Sequence, residues 1–185
     1  MQYKTDLSKF NNSWYKPGGT LIGRALWYFV NAVIINSRMP FGGIRIFWLR
    51  LFGAKIGSDV VIKPKVNIKY PWKLKIGNNV WIGESVWIDN LDEVVIGDNV
   101  CISQGAMILC GNHDYSKTTF NLITRKIILE EGVWVGAKSV LCPGTFAKSH
   151  AVITVGSVAS GELESYSVYS GNKASKIKTR IIHNN

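Results

Sequence analysis

From Ile56 onward an aliphatic residue recurs at every sixth position, with a small or β-branched residue four places later. Ile56-Gly57-Ser58-Asp59-Val60 begins the series and Ile62 with Val66 continues it. Ile76–Val80, Ile82–Val86 and Ile88-Asp89 follow. The register shifts by two at Leu91–Val95 and resumes with Ile96–Val100, Ile102 with Ala106, and Ile108. After an interruption the rhythm returns as Leu129 with Val133, Val135 with Ser139, Leu141 with Thr145, Ala147 with Ala151, and Ile153 with Ser157. A period of six is neither that of a helix nor that of an amphipathic strand. It suits a coil of short flat strands joined by tight turns, each inward aliphatic stacking on its counterpart one coil away. The Gly, Asn and Asp after each aliphatic residue are expected from the backbone angles of such turns.

Residues 20–52 follow a different rule. Leu21, Ile22, Ala25, Leu26, Phe29, Val33 and Ile34 have helical spacing, and so do Ile44, Phe47, Trp48, Leu51 and Phe52. Met39-Pro40-Phe41-Gly42-Gly43 separates the two runs, and Gly53 is placed to cap the second. A helical pair packed on the first coils would close the open end of the solenoid. The same helices interleave Trp27, Tyr28, Phe29, Phe47, Trp48 and Phe52 with Arg24, Arg38, Arg45 and Arg50. That mixture predicts weak contact with an anionic membrane surface. The chain therefore divides into an N-terminal helical and aromatic segment (1–55), a β-helix (56–160) carrying a loop at 109–126, and a C-terminal segment (161–185) that is a short basic helix or a free tail.

At 185 residues the chain is long enough for one domain with a sizeable core. Its N-terminus is polar and shows no secretory signal, and Leu21–Ile35, broken by Gly23, Arg24 and Asn31, is too short to span a bilayer. Cys101, Cys110 and Cys142 are odd in number and lack metal-site spacing, which points to free thiols and a cytoplasmic setting, at most peripheral to the membrane's inner face, with no metal. The net charge of +10 admits anionic partners. No nucleic-acid-binding signature accompanies it, so nucleic acid is not an expected partner.

The Ile-Gly-x-x-Val hexads, Gly111-Asn112-His113-Asp114-Tyr115, Val133-Trp134-Val135-Gly136-Ala137 and Gly156-Ser157-Val158 resemble the hexapeptide-repeat acetyltransferases. Those of colanic acid biosynthesis are the nearest in pattern, and the maltose and galactoside acetyltransferases are also similar. The resemblance covers Ile56 to about Lys178, and the aromatic N-terminal segment within the colanic-acid-like group. It implies a left-handed parallel β-helix, a homotrimer, and acetyl-CoA held between adjacent subunits. The activity it implies is O-acetylation of a hydroxyl on a small-molecule or lipid-linked sugar in polysaccharide synthesis.

Acetyl transfer needs the acceptor hydroxyl deprotonated as it attacks the thioester, and an imidazole, ordinarily titrating near ~6.5, suits that task. His113, at the start of the only long break in the hexads, matches the family's catalytic histidine. His150 falls in a hexad turn and His183 in the tail. The imidazole needs an orienting partner, a backbone carbonyl or a carboxylate, and Asp114 is adjacent. A backbone N–H in the Val135-Gly136-Ala137 coil is a candidate oxyanion donor. The resemblance assigns Ala137, Val155 and Ser160 to the cofactor and Lys178 to its phosphates. Gly171-Asn172-Lys173-Ala174-Ser175 departs from the family's usual motif there by losing a proline and shifting a lysine. Asp89, Asn90 and Asp92, at the register shift, are candidates to hold the acceptor. The galactoside-type acceptor positions fall on Gly83 and Leu91, a departure that argues against a galactoside. Rival readings are another acceptor (a sugar amine, serine or an antibiotic hydroxyl), a non-catalytic assembly subunit, and a carbonic-anhydrase-like member, for which the three histidines lack the arrangement.

Overall fold

The computed structural model describes residues 6–179. The hexads wind into a parallel β-solenoid with three sheets running along its length. The first coil is β1 (Lys55–Ile56), β2 (Val61–Ile62) and β3 (Asn67–Ile68). The second is β4 (Leu74–Ile76), β5 (Trp81–Ile82) and β6 (Trp87–Asp89), and the third β7 (Val94–Ile96), β8 (Cys101–Ile102) and β9 (Met107–Leu109). A hairpin of β10 (Gly111–His113) and β11 (Leu122–Thr124) interrupts the winding. The fourth coil is β12 (Ile127–Leu129), β13 (Trp134–Val135) and β14 (Val140–Leu141), and the fifth β15 (Phe146–Ala147), β16 (Val152–Ile153) and β17 (Val158–Ala159). β18 (Glu162–Leu163) and β19 (Ser167–Ser170) form a sixth, partial coil.

The inward columns are those the hexads predict. Ile62, Ile82, Ile102, Val135 and Ile153 stack on the second face, and Ile68, Ile88, Ile108, Leu141 and Ala159 on the third. All are buried in one continuous core. No single coil could shield its own apolar residues, so each is stabilised mainly by its neighbours.

Turn angles are not what makes Gly follow the inward residue. Gly57, Gly77, Gly83, Gly97 and Gly136 do not have positive φ; that conformation falls later in the turns, at Asp59, Asn79, Ser85, Asn99 and Lys138. The requirement is close stacking of coils. A Cβ on Gly83 would lie 2.6 Å from Gln104 N, and one on Gly136 2.6 Å from Val155 N. The Asn and Asp residues do serve the turns, since they tolerate the left-handed region better than most.

The repeat also runs past Gly161, through β18 and β19. The basic segment beyond it is neither helix nor free tail: β20 (Ser175–Thr179) folds back antiparallel on β19. Gly171 (φ +92°) and Lys173 (φ +60°) supply the reversal, and the alternating Ser-Lys-Ile-Lys-Thr pattern suits a strand. The hairpin covers what would otherwise be an open sheet edge. His183 lies outside the described residues.

At the other end, α1 (Leu21–Val30) runs through one π turn to Ile35, and α2 (Gly42–Leu51) packs across β1 and β2. Thr20 caps α1 by accepting from Gly23 N. The pair closes the first coil, but with a different face inward from the one helical spacing suggests. Trp27, Val30, Ile35 and Leu49 join the core, whereas Leu21 (74% exposed), Ile22, Leu26, Phe29 (65%), Val33, Phe47 and Leu51 face outward. The fully buried residue of α2 besides Leu49 is Arg45. Its guanidinium donates to the carbonyls of Ile35 (3.1 Å), Ser37 (3.0 Å), Phe41 (3.4 Å) and Met39, fastening the corner between the helices. Arg45 is thus unavailable to any surface.

Candidate active site

Successive coils do not have the same length. On the first and second faces the inward residues are six apart, but Ile68 to Ile76 and Ile88 to Ile96 are eight apart, and Ile108 to Leu129 is far longer. Every extra residue falls at the same corner, between the third face and the first. The segments 69–73, 90–93 and 110–126 therefore stack along one edge of the solenoid, and the last of them carries His113.

The N-terminal segment runs along this edge as a strap. Asp6 N donates to Thr118 O (2.8 Å), Tyr15 Oη to Leu91 O (2.6 Å), and Trp72 Nε1 to Pro17 O (2.8 Å). Lys73 Nζ lies within the strap's turn, bonded to Tyr15 Oη (3.1 Å) and Leu91 O, and burial holds its pKa below the usual lysine range. Burial by the same packing raises the Tyr15 phenol.

His113 closes β10 and is half-buried. Its Nδ1 lies 2.9 Å from Phe120 O. A carbonyl only accepts, so in the neutral imidazole Nδ1 carries the proton and Nε2 the lone pair. The Phe120 ring stacks on the imidazole at 4.4 Å and 6°, and Phe10 of the strap approaches it at 5.7 Å. Phe120 has φ +50°, a costly conformation for an aromatic residue. Held there, one residue presents both its carbonyl and its ring to His113; non-glycine strain of this kind concentrates at functional sites. Asp114 does not orient the imidazole. Its carboxylate accepts from Ser116 and faces Lys117, and these contacts hold its pKa below the ordinary value.

A cavity of about 420 Å³ opens beside His113, with Tyr115, Arg125, Cys142, Pro143 and Ser160 in its walls. Burial raises the Cys142 thiol and pushes that of Cys110 up to about 12, so neither is a ready nucleophile. Among the described residues no group of His, Cys, Asp and Glu is arranged around a metal position. His150, beside Tyr166 in a corner turn of the fifth coil, is remote in the fold from this edge.

Of the residues singled out in the sequence, Ser160 shares the cavity with His113. Ala137 and Val155 meet at the opposite edge of the third face, where Gly156 N donates to Ala137 O (2.9 Å). Lys178 lies in β20, its backbone paired with Val168. In the Val135-Gly136-Ala137 coil, Gly136 N is already bonded to Ile153 O (2.7 Å), which removes it as an oxyanion donor. Asp89 and Asp92 lie on the insertion edge, where Asp92 Oδ1 accepts from Glu93 N (2.7 Å). Asn90 is a fold residue: it is buried, its Oδ1 accepts from Tyr70 N (2.9 Å), and its Nδ2 donates to Tyr70 O (2.6 Å). Phe10, Phe120 and the strap were not legible as site residues, because no local pattern joins residues 6–19 to a loop a hundred positions away.

No protein-family model matches the chain. It is 36% identical over 177 residues, 95% of its length, to a protein of Escherichia coli (strain K12) named as the colanic acid biosynthesis acetyltransferase WcaF, of which the match covers 97%. The chain belongs to the hexapeptide-repeat acetyltransferases. The fold of this acetyltransferase is also that of solved relatives. The hexapeptide-repeat acetyltransferase VCA0836 of Vibrio cholerae O1 biovar eltor, in complex with acetyl coenzyme A, superposes with a TM-score of 0.79 at 18% identity, covering 87% of this chain and 88% of that one. A maltose O-acetyltransferase of Clostridium difficile 630 gives 0.74 at 19% identity, covering 88% of each.

Proposed function

We propose that the protein transfers an acetyl group from acetyl-CoA to a sugar hydroxyl during polysaccharide synthesis, with His113 as general base. The observation that carries this reading is the Nδ1–Phe120 carbonyl bond, which fixes the tautomer a base requires. The acceptor O–H gives its proton to Nε2 as its oxygen attacks the thioester carbonyl. The tetrahedral intermediate collapses by breaking the C–S bond, and the imidazolium returns the proton to the departing thiolate. Ser160 in the same cavity and Ala137 with Val155 across the third face are the surfaces for the cofactor, and Lys178 is assigned to its phosphates. Asp89 and Asp92 serve the acceptor side. Incubation with acetyl-CoA and a panel of sugar, amine and serine acceptors, followed by free-thiol detection, tests the reaction; thiol release stimulated by amines or serine but by no sugar would overturn the assigned acceptor class.

The active unit in this reading is a homotrimer. Its support is the outward column of the second face, where Val61, Trp81, Cys101 and Trp134 stand in register and keep exposed or half-exposed apolar surface. Unshielded apolar rows of this kind mark contacts between subunits. Light scattering at micromolar concentration is expected to give three times the chain mass, and a monomer would count against the shared cofactor groove.

Membrane contact has its own support. No described helix is long and apolar enough to cross a bilayer, yet α1 and α2 turn Leu21, Ile22, Phe29, Phe47 and Leu51 outward. Residues 7–58 contain no Asp or Glu, while they include Lys16, Arg24, Arg38, Arg50 and Lys55. Each basic residue near an anionic surface contributes about 1 kcal/mol, weakened by salt. Co-sedimentation with phosphatidylserine-containing vesicles is expected at low salt and lost at high salt or in an Arg24→Glu/Arg50→Glu variant. Protein left in the supernatant at low salt would reject peripheral attachment.

A further inference from the structure

A second cavity, of about 430 Å³, lies between α1 and the third face of the first two coils, away from the His113 cavity. We propose that it is a carbohydrate subsite that holds the acceptor glycan at a distance from the reacting hydroxyl; this rests on the acetyl-transfer reading above.

Side chains at the C-terminal end of the helix fix it over the sheet. Trp27 Nε1 donates to Ile68 O (3.0 Å), and Asn31 Nδ2 donates to Asn67 Oδ1 (2.7 Å) while Asn31 Oδ1 accepts from Ile68 N (3.3 Å). Trp27 and Asn31 lie one helical turn apart and stitch α1 to β3. Tyr28 and Trp87 are left as exposed aromatic walls, and Tyr70 contributes a third ring, itself stacked on Trp72 at 5.2 Å. Trp87 is the outward residue of β6, 39% exposed. Between these rings stand Asp89 and Lys69, paired at 2.9 Å. The Asp89 oxygen facing Lys69 is closed to solvent and has no hydrogen-bond partner beyond that ion pair, so Asp89 holds the Lys69 ammonium in place beside the rings. Arg24 adds donors at the rim.

Flat apolar rings bordered by a few fixed polar groups are what a sugar ring requires: its C–H face lies on an aromatic plane while its hydroxyls exchange hydrogen bonds with carboxylate, amide and ammonium. A phosphate-bearing ligand fits less well among the rings, because the Lys69 charge there is already matched by Asp89 and Arg24 is left as the one unmatched cation of the lining. The position along the solenoid gives the cleft its role. The cleft occupies coils one and two, the His113 hairpin leaves after coil three, and Ser160, Ala137 and Val155 belong to coils four and five. Asp89 is a wall of the cleft, and its carbonyl accepts from Cys110 N (3.2 Å) at the root of the His113 hairpin. The outward column Trp87, Met107, Val140 and Val158 links the two regions in register. With coils about 4.8 Å apart, cleft and cofactor region are separated by roughly 10–15 Å. That distance is suited to an oligosaccharide or a carrier-linked glycan rather than to a free monosaccharide.

The test is calorimetric titration of the intact protein with a panel of neutral-hexose, deoxyhexose and uronic-acid oligosaccharides, with inorganic phosphate as the competing ligand class. At least one oligosaccharide is expected to bind, with affinity lowered about tenfold or more by Trp87→Ala. Tyr28→Ala, at a position 79% exposed, gives the same result without disturbing the core, and Trp14→Ala, an exposed aromatic outside the cleft, leaves binding unchanged. In turnover the Trp87 and Tyr28 variants raise KM for the bound oligosaccharide and leave kcat near its original value. Absence of binding by every oligosaccharide, binding indifferent to both cleft variants, or binding of phosphate alone would overturn the subsite. Oligosaccharide binding without acetyl transfer would instead overturn the catalytic reading and leave the subsite standing.

Discussion

His113→Ala is expected to lower kcat by roughly 10²–10⁴-fold, the usual range for removing a positioned general base. Fold and assembly should survive, because the imidazole lies on the excursion hairpin rather than in the coil core, and its single direct hydrogen bond is to Phe120 O. The loss should appear in kcat more than in KM for acetyl-CoA, since the base acts in the transition state. Phe120 offers a finer test. Phe120→Ala removes the stacked ring and leaves the carbonyl, although alanine tolerates the φ of +50° no better. Phe120→Gly removes the ring and relaxes the conformation that aims the carbonyl, so it should be the more damaging of the two. The measurement is steady-state thiol release on the acceptor identified by the panel, with circular dichroism as the fold control. Near-normal turnover in His113→Ala would remove the histidine from the mechanism.

The solenoid was legible because its physics is local and repeated. Each Ile-Gly-x-x-Val unit specifies one inward residue, one close approach of backbone and one turn, and many agreeing units leave little freedom. His113 was legible because its hairpin breaks that rhythm. Other features were not, for reasons that differ. The helical spacing of Leu21, Ile22 and Phe29 reports an apolar row correctly but does not say which way it faces; Trp27 decides that, by finding the Ile68 carbonyl across the interface. Asn90 looked like a ligand residue because Asn is polar, yet its amide is matched at both ends to the Tyr70 backbone. The stacking of all three insertions on one edge is encoded only in the spacing of inward positions across that corner, in the gap from Ile68 to Ile76 as much as in the shift at Leu91–Val95. The strap depends on contacts between residues separated by 76 positions, as in Tyr15 to Leu91, which no periodicity encodes.

Replacing Arg45 is expected to be the most damaging change outside the catalytic edge. In the sequence it belongs with Arg24, Arg38 and Arg50 as a surface cation, but it has no exposed surface and four carbonyl partners. Two effects oppose each other in Arg45→Met. Removing a buried charge recovers desolvation energy, because burial already works against this guanidinium. Against that, the carbonyls of Ile35, Ser37, Met39 and Phe41 lose a common donor, and hydrogen bonds to charged groups contribute about 1.5–3 kcal/mol each. The carbonyls end the helical stretch through Ile35 and form the corner that follows, where a positive charge is also favoured by the helix dipole. Methionine fills the volume and donates nothing, so the second effect should win, with a net loss of about 2–4 kcal/mol. For a chain of this size that corresponds to a fall in Tm of roughly 4–16 °C. Arg45→Lys keeps the charge but, with three donors from one point instead of a planar fork, cannot span four carbonyls, and should recover only part of the loss. Amide hydrogen exchange should show protection lost first in α1, the corner and α2, before the later coils, whose stacking does not involve Arg45. Unchanged protection and Tm in Arg45→Met would mean that the helix corner is held by apolar packing of Ile35 and Leu49 alone.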